Sequence, residues 1–166
     1  MERVYSKKQR PIGMNQFPTL HFPTYSFSTK NDGNQTFIFD RIRKKFVVLT
    51  PEEWVRQHLV WYLIEEKKYP VGLIRIEFAF KVNENTVRAD VAVFTSNLKP
   101  VVLCECKAPE VALSNTTLSQ AGWYNMVQKS PNILITNGIK HYFFHYNGTQ
   151  WIALYEIPFY TDLLTR

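Results

Sequence analysis

Cysteine is scarce: the 166 residues hold two, Cys104 and Cys106. Two cannot build a disulfide framework, and no further ligands stand at metal spacing to make them a zinc site. Long apolar runs are missing as well. No stretch of about 18 apolar residues occurs, so no membrane-spanning helix and no membrane partner are expected. Met1-Glu2-Arg3 lacks an apolar signal core, which makes a cytoplasmic location the expectation. The six glycines form neither a Walker-type nor a dinucleotide-binding pattern. The length suits one domain of roughly 100–200 residues and leaves no room for a motor.

What is present is an apolar supply large enough for a core, 45% hydrophobic and 15% aromatic residues, so wholesale disorder is excluded. The net charge is +6 and uneven. Residues 1–70 hold 12 Lys and Arg against 7 Asp and Glu, whereas residues 71–166 hold 8 against 7. A basic front half fits a polyanion, and nucleic acid is the commonest. A solvated basic surface fits the same numbers.

Residues 1–36 mix Pro11, Gly13, Pro18, Pro23 and Gly33 with polar residues, which predicts an irregular arm. Its Phe17, Leu20, Phe22, Tyr25 and Phe27 imply that it packs on the domain formed by 37–166. Phe37–Phe39 and Phe46–Leu49 read as short strands around the basic cluster Arg41, Arg43, Lys44 and Lys45. A helix should start at Thr50, with Thr50 as N-cap, Pro51 first and Glu53 third, a capping box. Val55, Leu59, Tyr62 and Leu63 then recur at helical spacing, and Tyr69-Pro70 closes the segment. Strands are expected at Leu73–Val82, Thr86–Thr95 and Val101–Ala108, a second helix at Leu118–Lys129, and strands again at Asn132–Thr136, His141–Tyr146 and Gln150–Ile157. Asn147-Gly148 is a strong hairpin signal.

The chemistry concentrates in Arg88-Ala89-Asp90 and Glu105-Cys106-Lys107. Glu105 and Lys107 are two apart and share a strand face. A symmetric hairpin around Ser96–Lys99 pairs Phe94 with Val101, Ala92 with Leu103 and Asp90 with Glu105. Two carboxylates then face each other with Cβ atoms about 4.5–5.5 Å apart. Such a pair calls for a cation or a raised pKa, and two hard oxygen ligands plus waters suit Mg²⁺, with Mn²⁺ as substitute. The competing reading is a solvated sheet face on which Lys107 only salt-bridges Glu105. Glu105 and Lys107 directly follow the apolar run Val101-Val102-Leu103-Cys104, an unusual setting for idle charges.

Asp90 followed by Glu105-x-Lys107 on the next strand resembles the PD-(D/E)xK nuclease superfamily. More narrowly, Phe37 to about Gly138 resembles the N-terminal nuclease domain of type I restriction enzyme R subunits. The matching segments are Phe39-Asp40-Arg41-Ile42-Arg43-Lys44-Lys45-Phe46, Pro51-Glu52-Glu53-Trp54-Val55-Arg56 and Glu105-Cys106-Lys107-Ala108-Pro109. Ala89 departs from the proline of the superfamily's name. The resemblance implies Asp90, Glu105 and the Cys106 carbonyl as metal ligands and Lys107 as catalytic lysine. It also implies Gln120 and Tyr124 as a glutamine-tyrosine motif on the second helix, and Glu53 as the first-helix acid, for which capping competes.

Arg41, Arg43, Lys44, Lys45 and Arg56 are the candidate phosphate contacts. Glu77 falls either in the acidic cluster or on its rim. Cys104 and Cys106 read as core residues, His58 as a helix-surface or rim residue, His141 and His145 as packing residues. Trp123 reads as core, with base stacking as its alternative. The expectation is an α/β, restriction-endonuclease-like domain with a mixed central sheet flanked by helices, acting as a Mg²⁺-dependent DNA endonuclease. The alternatives are a non-catalytic nucleic-acid-binding module, or a nuclease subunit served by a separate helicase or translocase. Double-strand cutting by one active site would favour a homodimer.

Overall fold

A computed structural model describes residues 17–82, 84–114 and 129–165. Three short strands, β1 (Thr29–Asp32), β2 (Gln35–Asp40) and β3 (Lys45–Val48), form an antiparallel sheet. The helix α1 (Pro51–Glu65) follows. A six-stranded sheet then runs in chain order: β4 (Ile74–Val82), β5 (Asn85–Phe94), β6 (Pro100–Cys106), β7 (Asn132–Thr136), β8 (His141–Tyr146) and β9 (Trp151–Leu154). A short helix, α2 (Tyr160–Leu164), ends the described chain. This is the mixed α/β architecture the sequence pointed to.

Only β6 and β7 pair in parallel; the other neighbours in the large sheet are antiparallel. A parallel pair needs a long crossover. The expected helix Leu118–Lys129, with Gln120, Trp123 and Tyr124, falls almost wholly in that crossover and lies outside the described residues.

The start of α1 follows from its first four residues. Thr50 is extended, and its hydroxyl accepts the Glu53 N–H at 3.1 Å. Pro51 takes a first-turn position where no N–H is needed, and Glu52 and Glu53 complement the positive end of the helix dipole. Val55, Leu59 and Leu63, spaced by four, are fully buried against Val91, Val93, Val102, Cys104, Cys106 and Leu134 of the sheet. Each such side chain contributes about 1.5–3 kcal/mol by leaving water. His58, expected on the rim, is buried instead, with Nδ1 2.9 Å from the Trp54 carbonyl. It sits in an aromatic cluster with Phe27, Trp54 and Tyr25. Arm residues supply much of this cluster, because the α1 face they cover is too apolar to leave in water.

The front of the chain is more regular than its composition suggested. Residues 29–32 pair with β2 although the sequence reading made them part of an irregular arm. Asn31 and Asp32 are poor strand formers, and the Gly33 turn with φ of +55° supplies the hairpin that the local sequence hides. Further upstream, the His21 N–H donates to the Gly138 carbonyl at 2.7 Å. Gly138 has φ of +82°, and a Cβ there would lie 2.7 Å from a Leu20 methyl, so only glycine fits.

The small sheet is tied to α1 by ions. Asp40, at the end of β2, is 1% exposed. It accepts the Ile42 and Arg43 N–H groups, Arg43 Nε at 2.8 Å and an Arg56 guanidinium nitrogen at 3.0 Å. Arg56 also pairs with Glu53. Burial disfavours the Asp40 charge, but the Arg43 and Arg56 bonds outweigh it and hold the pKa below the usual aspartate value. Replacing one partner of a buried pair strands the other. Arg56→Met should lower unfolding free energy by roughly 3 kcal/mol in urea titrations. Arg56→Met combined with Asp40→Asn should cost less than the two single effects added.

Candidate active site

The hairpin β5–β6 decides the geometry. Val91 pairs with Cys104, Ala92 with Leu103 and Val93 with Val102. The register expected from the sequence therefore holds over this stretch, and Asp90 and Glu105 come next in line. A bulge does occur, but at the turn end, where Phe94 meets Pro100 instead of the expected Val101. The site end is unaffected by it.

At Asp90 the strands change character. Ile74 and Ile76 pack under α1, whereas Phe78 and Phe80 pack on the opposite face. Likewise Val91 and Val93 lie under α1, but Ala89 lies on the other side. Residues two apart normally share a face. Between these pairs stand Glu77, with φ of +53°, and Asp90. The offset of the β4–β5 ladder is the same on both sides, Ile76 with Val91 and Phe78 with Ala89. The hairpin thus rolls over without an inserted residue. A left-handed glutamate costs of order 1–3 kcal/mol and needs surrounding structure to hold it. Here Arg43 grips its carboxylate at 3.0 Å.

The roll leaves the Asp90 carboxylate aimed along the sheet. Its Oδ2 accepts the Cys106 N–H at 2.7 Å, in place of a backbone partner. N–H and C=O of one strand residue point to the same edge, so the Cys106 carbonyl faces the Asp90 side. Glu105 and Lys107 lie on the face of Leu103, while Cys104 and Cys106 are free, fully buried thiols on the other. Lys107 Nζ donates to Glu105 Oε1 at 2.8 Å. The Glu105 side chain is 14% exposed and the Lys107 side chain 26%.

One ammonium does not neutralise two buried carboxylates. Burial and then the Asp90 charge push the Glu105 pKa up to about 7, even with Lys107 bonded to it. Burial also raises Asp90, against the Cys106 N–H and the Lys107 charge. For Lys107, burial opposes the charge but the bond to Glu105 prevails, so its pKa rises. Glu52, exposed in the first turn of α1, acts on the group from its rim. Its pKa is raised by burial and then by Asp90, and its charge acts on both Glu105 and Lys107.

Glu52 is the residue sequence reasoning missed. The capping box drew attention to Glu53, its neighbour in the same helical turn. Glu53 instead bonds Arg56 and accepts Gln57 Nε2 at 2.7 Å. The phosphate-contact set also divides. Arg56 is 4% exposed and fully engaged with Asp40 and Glu53, so it is a scaffold cation with no path to a ligand. Arg43 serves Asp40, Glu53 and Glu77 in the same way. Arg41 pairs with Glu65 and lies 4.3 Å from the Trp61 ring centre. Lys44 and Lys45 are exposed. His141 and His145 bond Thr136 and Asn132 of β7, a packing role. Glu77 stands at the rim, about half exposed.

Among the described residues, no three His, Cys, Asp or Glu side chains converge on a metal-sized site. The donor set is two carboxylates with surplus negative charge and a nearby carbonyl, all oxygen. Such a set fits Mg²⁺, which commonly keeps several waters and takes one or two carboxylates.

The family of type I restriction enzyme R protein N termini matches residues 51–158. The chain belongs to this family. The match runs from α1 past β9 and contains Asp90, Glu105 and Lys107, while Phe39–Phe46 lies outside it. The R-protein N-terminal domain described here is also similar to a solved fragment from Vibrio vulnificus YJ016, described as an HsdR subunit of a type I restriction enzyme. The two are 18% identical with a TM-score of 0.52, over 70% of this chain and 25% of that one. At that identity the likeness is one of fold, and this chain spans about a quarter of that one. No curated protein matches.

The raised carboxylates bind protons more tightly folded than unfolded. Their contribution to stability is present below the ordinary glutamate pKa and is lost as pH rises through about 7. In chelator, Glu105→Gln should match the wild type in melting temperature near pH 4 and exceed it at pH 8. Equal melting temperatures at both pH values would contradict the assigned burial and charge repulsion.

Proposed function

We propose that this R-protein N-terminal domain is a metal-dependent DNA endonuclease of the PD-(D/E)xK type. The observation that carries the reading is the bond from the Cys106 N–H to Asp90, which holds Asp90 beside Glu105 with Lys107 on the same strand. Asp90, Glu105 and the Cys106 carbonyl would hold Mg²⁺ or Mn²⁺. Such an ion, when bound, polarises a phosphate and lowers the pKa of water. Lys107 is the group that changes partner. Released from Glu105, its ammonium reaches the developing charge on the phosphodiester, which electrostatic stabilisation requires. Glu52 adds negative charge at the rim and favours cation capture. Gln120 and Tyr124, from the resemblance, are further proposed contacts.

A second reading rests on the Lys107–Glu105 pair itself, which is also what a purely structural ion pair looks like. In that case the domain is a non-catalytic nucleic-acid-binding module. Duplex DNA is the proposed partner in both, and a translocase chain acting in trans is proposed for the first. Cytoplasmic location and dimeric double-strand cutting go with the nuclease reading.

Supercoiled plasmid separates the two. With Mg²⁺ or Mn²⁺, wild type should nick it, and Asp90→Asn and Lys107→Ala should each reduce the rate by at least about 100-fold. Their circular dichroism and melting should stay close to wild type. Binding without nicking, unaffected by Asp90→Asn, would establish the module instead.

A further inference from the structure

The outer face of the small sheet carries a feature that the catalytic reading does not use. Side chains alternate along β2. Ile38 and Asp40 point inward, Ile38 fully buried and Asp40 held by Arg56. Phe37 and Phe39 therefore point outward. Cross-strand pairing sets Val48 and Lys30 beside Phe37 and sets Phe46 beside Phe39. The Phe39 and Phe46 rings meet edge-on, 5.3 Å apart. Phe46 is 38% exposed and Val48 41%. Three phenylalanines thus share one face of a three-stranded sheet with solvent.

Cations border this face. Lys30 Nζ lies 4.9 Å from the Phe46 ring centre and 5.4 Å from that of Phe37. Lys44, with φ of +53°, is exposed in the β2–β3 turn, and Lys45 is exposed but, paired with Asp40, belongs to the inner side. Among the described residues neither makes an ion pair. Asp32 is the exposed acid of the three strands, so the face is net positive.

This combination selects among partners. An apolar protein surface laid over the rings would bury the Lys30 charge without a counter-ion, at a cost of several kcal/mol. A phosphodiester strand gives each lysine a phosphate and each ring a base. Bases in a duplex already stack on one another, so their faces are open to rings only in a single strand. Aromatic sheet faces with flanking cations are the general solution for that ligand. Arg43 ties this face to the candidate site, bonding Asp40 at the end of β2 and Glu77 on β4, the strand beside that of Asp90.

We propose that the outer face of β1–β3 binds a single strand of nucleic acid. Bases stack on Phe37, Phe39 and Phe46, and phosphates engage Lys30 and Lys44. The proposal deepens the nuclease reading, resting on it for the use made of the strand and not for the binding itself.

Fluorescence anisotropy of a labelled 12-mer oligothymidylate with the full chain in EDTA tests it without any cleavage. Phe46→Leu keeps an apolar side chain but loses the ring, and should weaken binding by about tenfold. Phe46→Trp should bind at least as tightly as wild type. Lys30→Glu with Lys44→Glu should weaken binding and flatten its salt dependence. Equal affinity for the wild type, Phe46→Leu and Phe46→Trp, all folded by circular dichroism, would overturn the platform. So would Phe46 variants that alter sedimentation but not oligonucleotide binding, which would assign the face to a second copy of the chain. Plasmid nicking by a protein whose Phe46 variants all bind alike overturns the platform and keeps the nuclease. Ring-dependent binding without nicking does the reverse.

Discussion

Two carboxylates held side by side at the end of a buried strand are the constraint on which this molecule turns. Asp90 and Glu105 repel, and burial sharpens the repulsion by removing the water that would screen it. Left alone, the strands would part or the groups would take up a proton. Three devices prevent the first. The register of β5 and β6 is locked by apolar pairs, the Cys106 N–H binds Asp90, and Lys107 binds Glu105. None of these removes the surplus charge. The surplus makes the stability of the site depend on pH, and it is what the proposed cation would offset.

Behind the site stands a second charged layer, in which two guanidiniums serve three carboxylates. Asp40, Arg43, Glu53, Arg56 and Glu77 join the small sheet, α1 and β4 through buried or half-buried ion pairs. The contrast between the layers is informative. In the scaffold each carboxylate contacts at least one guanidinium, Arg43 being shared by three, and Asp40 stays ionised below the ordinary range. In the site the Lys107 ammonium bonds Glu105, and Asp90 is bonded by the Cys106 N–H. Arg43 connects the layers by holding the left-handed Glu77, at the point where the β4–β5 hairpin rolls over and turns Asp90 toward Cys106.

Much of this was legible in the sequence because local rules decided it. Thr50, Pro51 and Glu53 marked the start of α1, and strands β7 and β8 fell on their expected residues. Alternation alone placed Glu105 with Lys107 and both cysteines in the core. The remainder was set by contacts that no local pattern records. Arg56 looked like a surface cation because nothing nearby in sequence announces Asp40 as its buried partner. Glu53 was read as a cap or ligand because nothing local shows that Arg56 and Gln57 engage it, and Glu52 was overlooked because its effect on Asp90 and Lys107 depends on how α1 docks. Strand β1 was hidden by its polar composition. The roll at Glu77 has no sequence signature, since the register on either side is unchanged. Gln120 and Tyr124 lie outside the described residues.

The central claim is that Asp90 and Glu105 form a divalent-cation site that Lys107 serves. Its most direct test is anomalous diffraction from crystals soaked in Mn²⁺. The account predicts a peak about 2.1 Å from carboxylate oxygens of both residues, with the Lys107 ammonium released from Glu105. A soaked crystal with no peak there, and with Lys107 still bonded to Glu105, would contradict it.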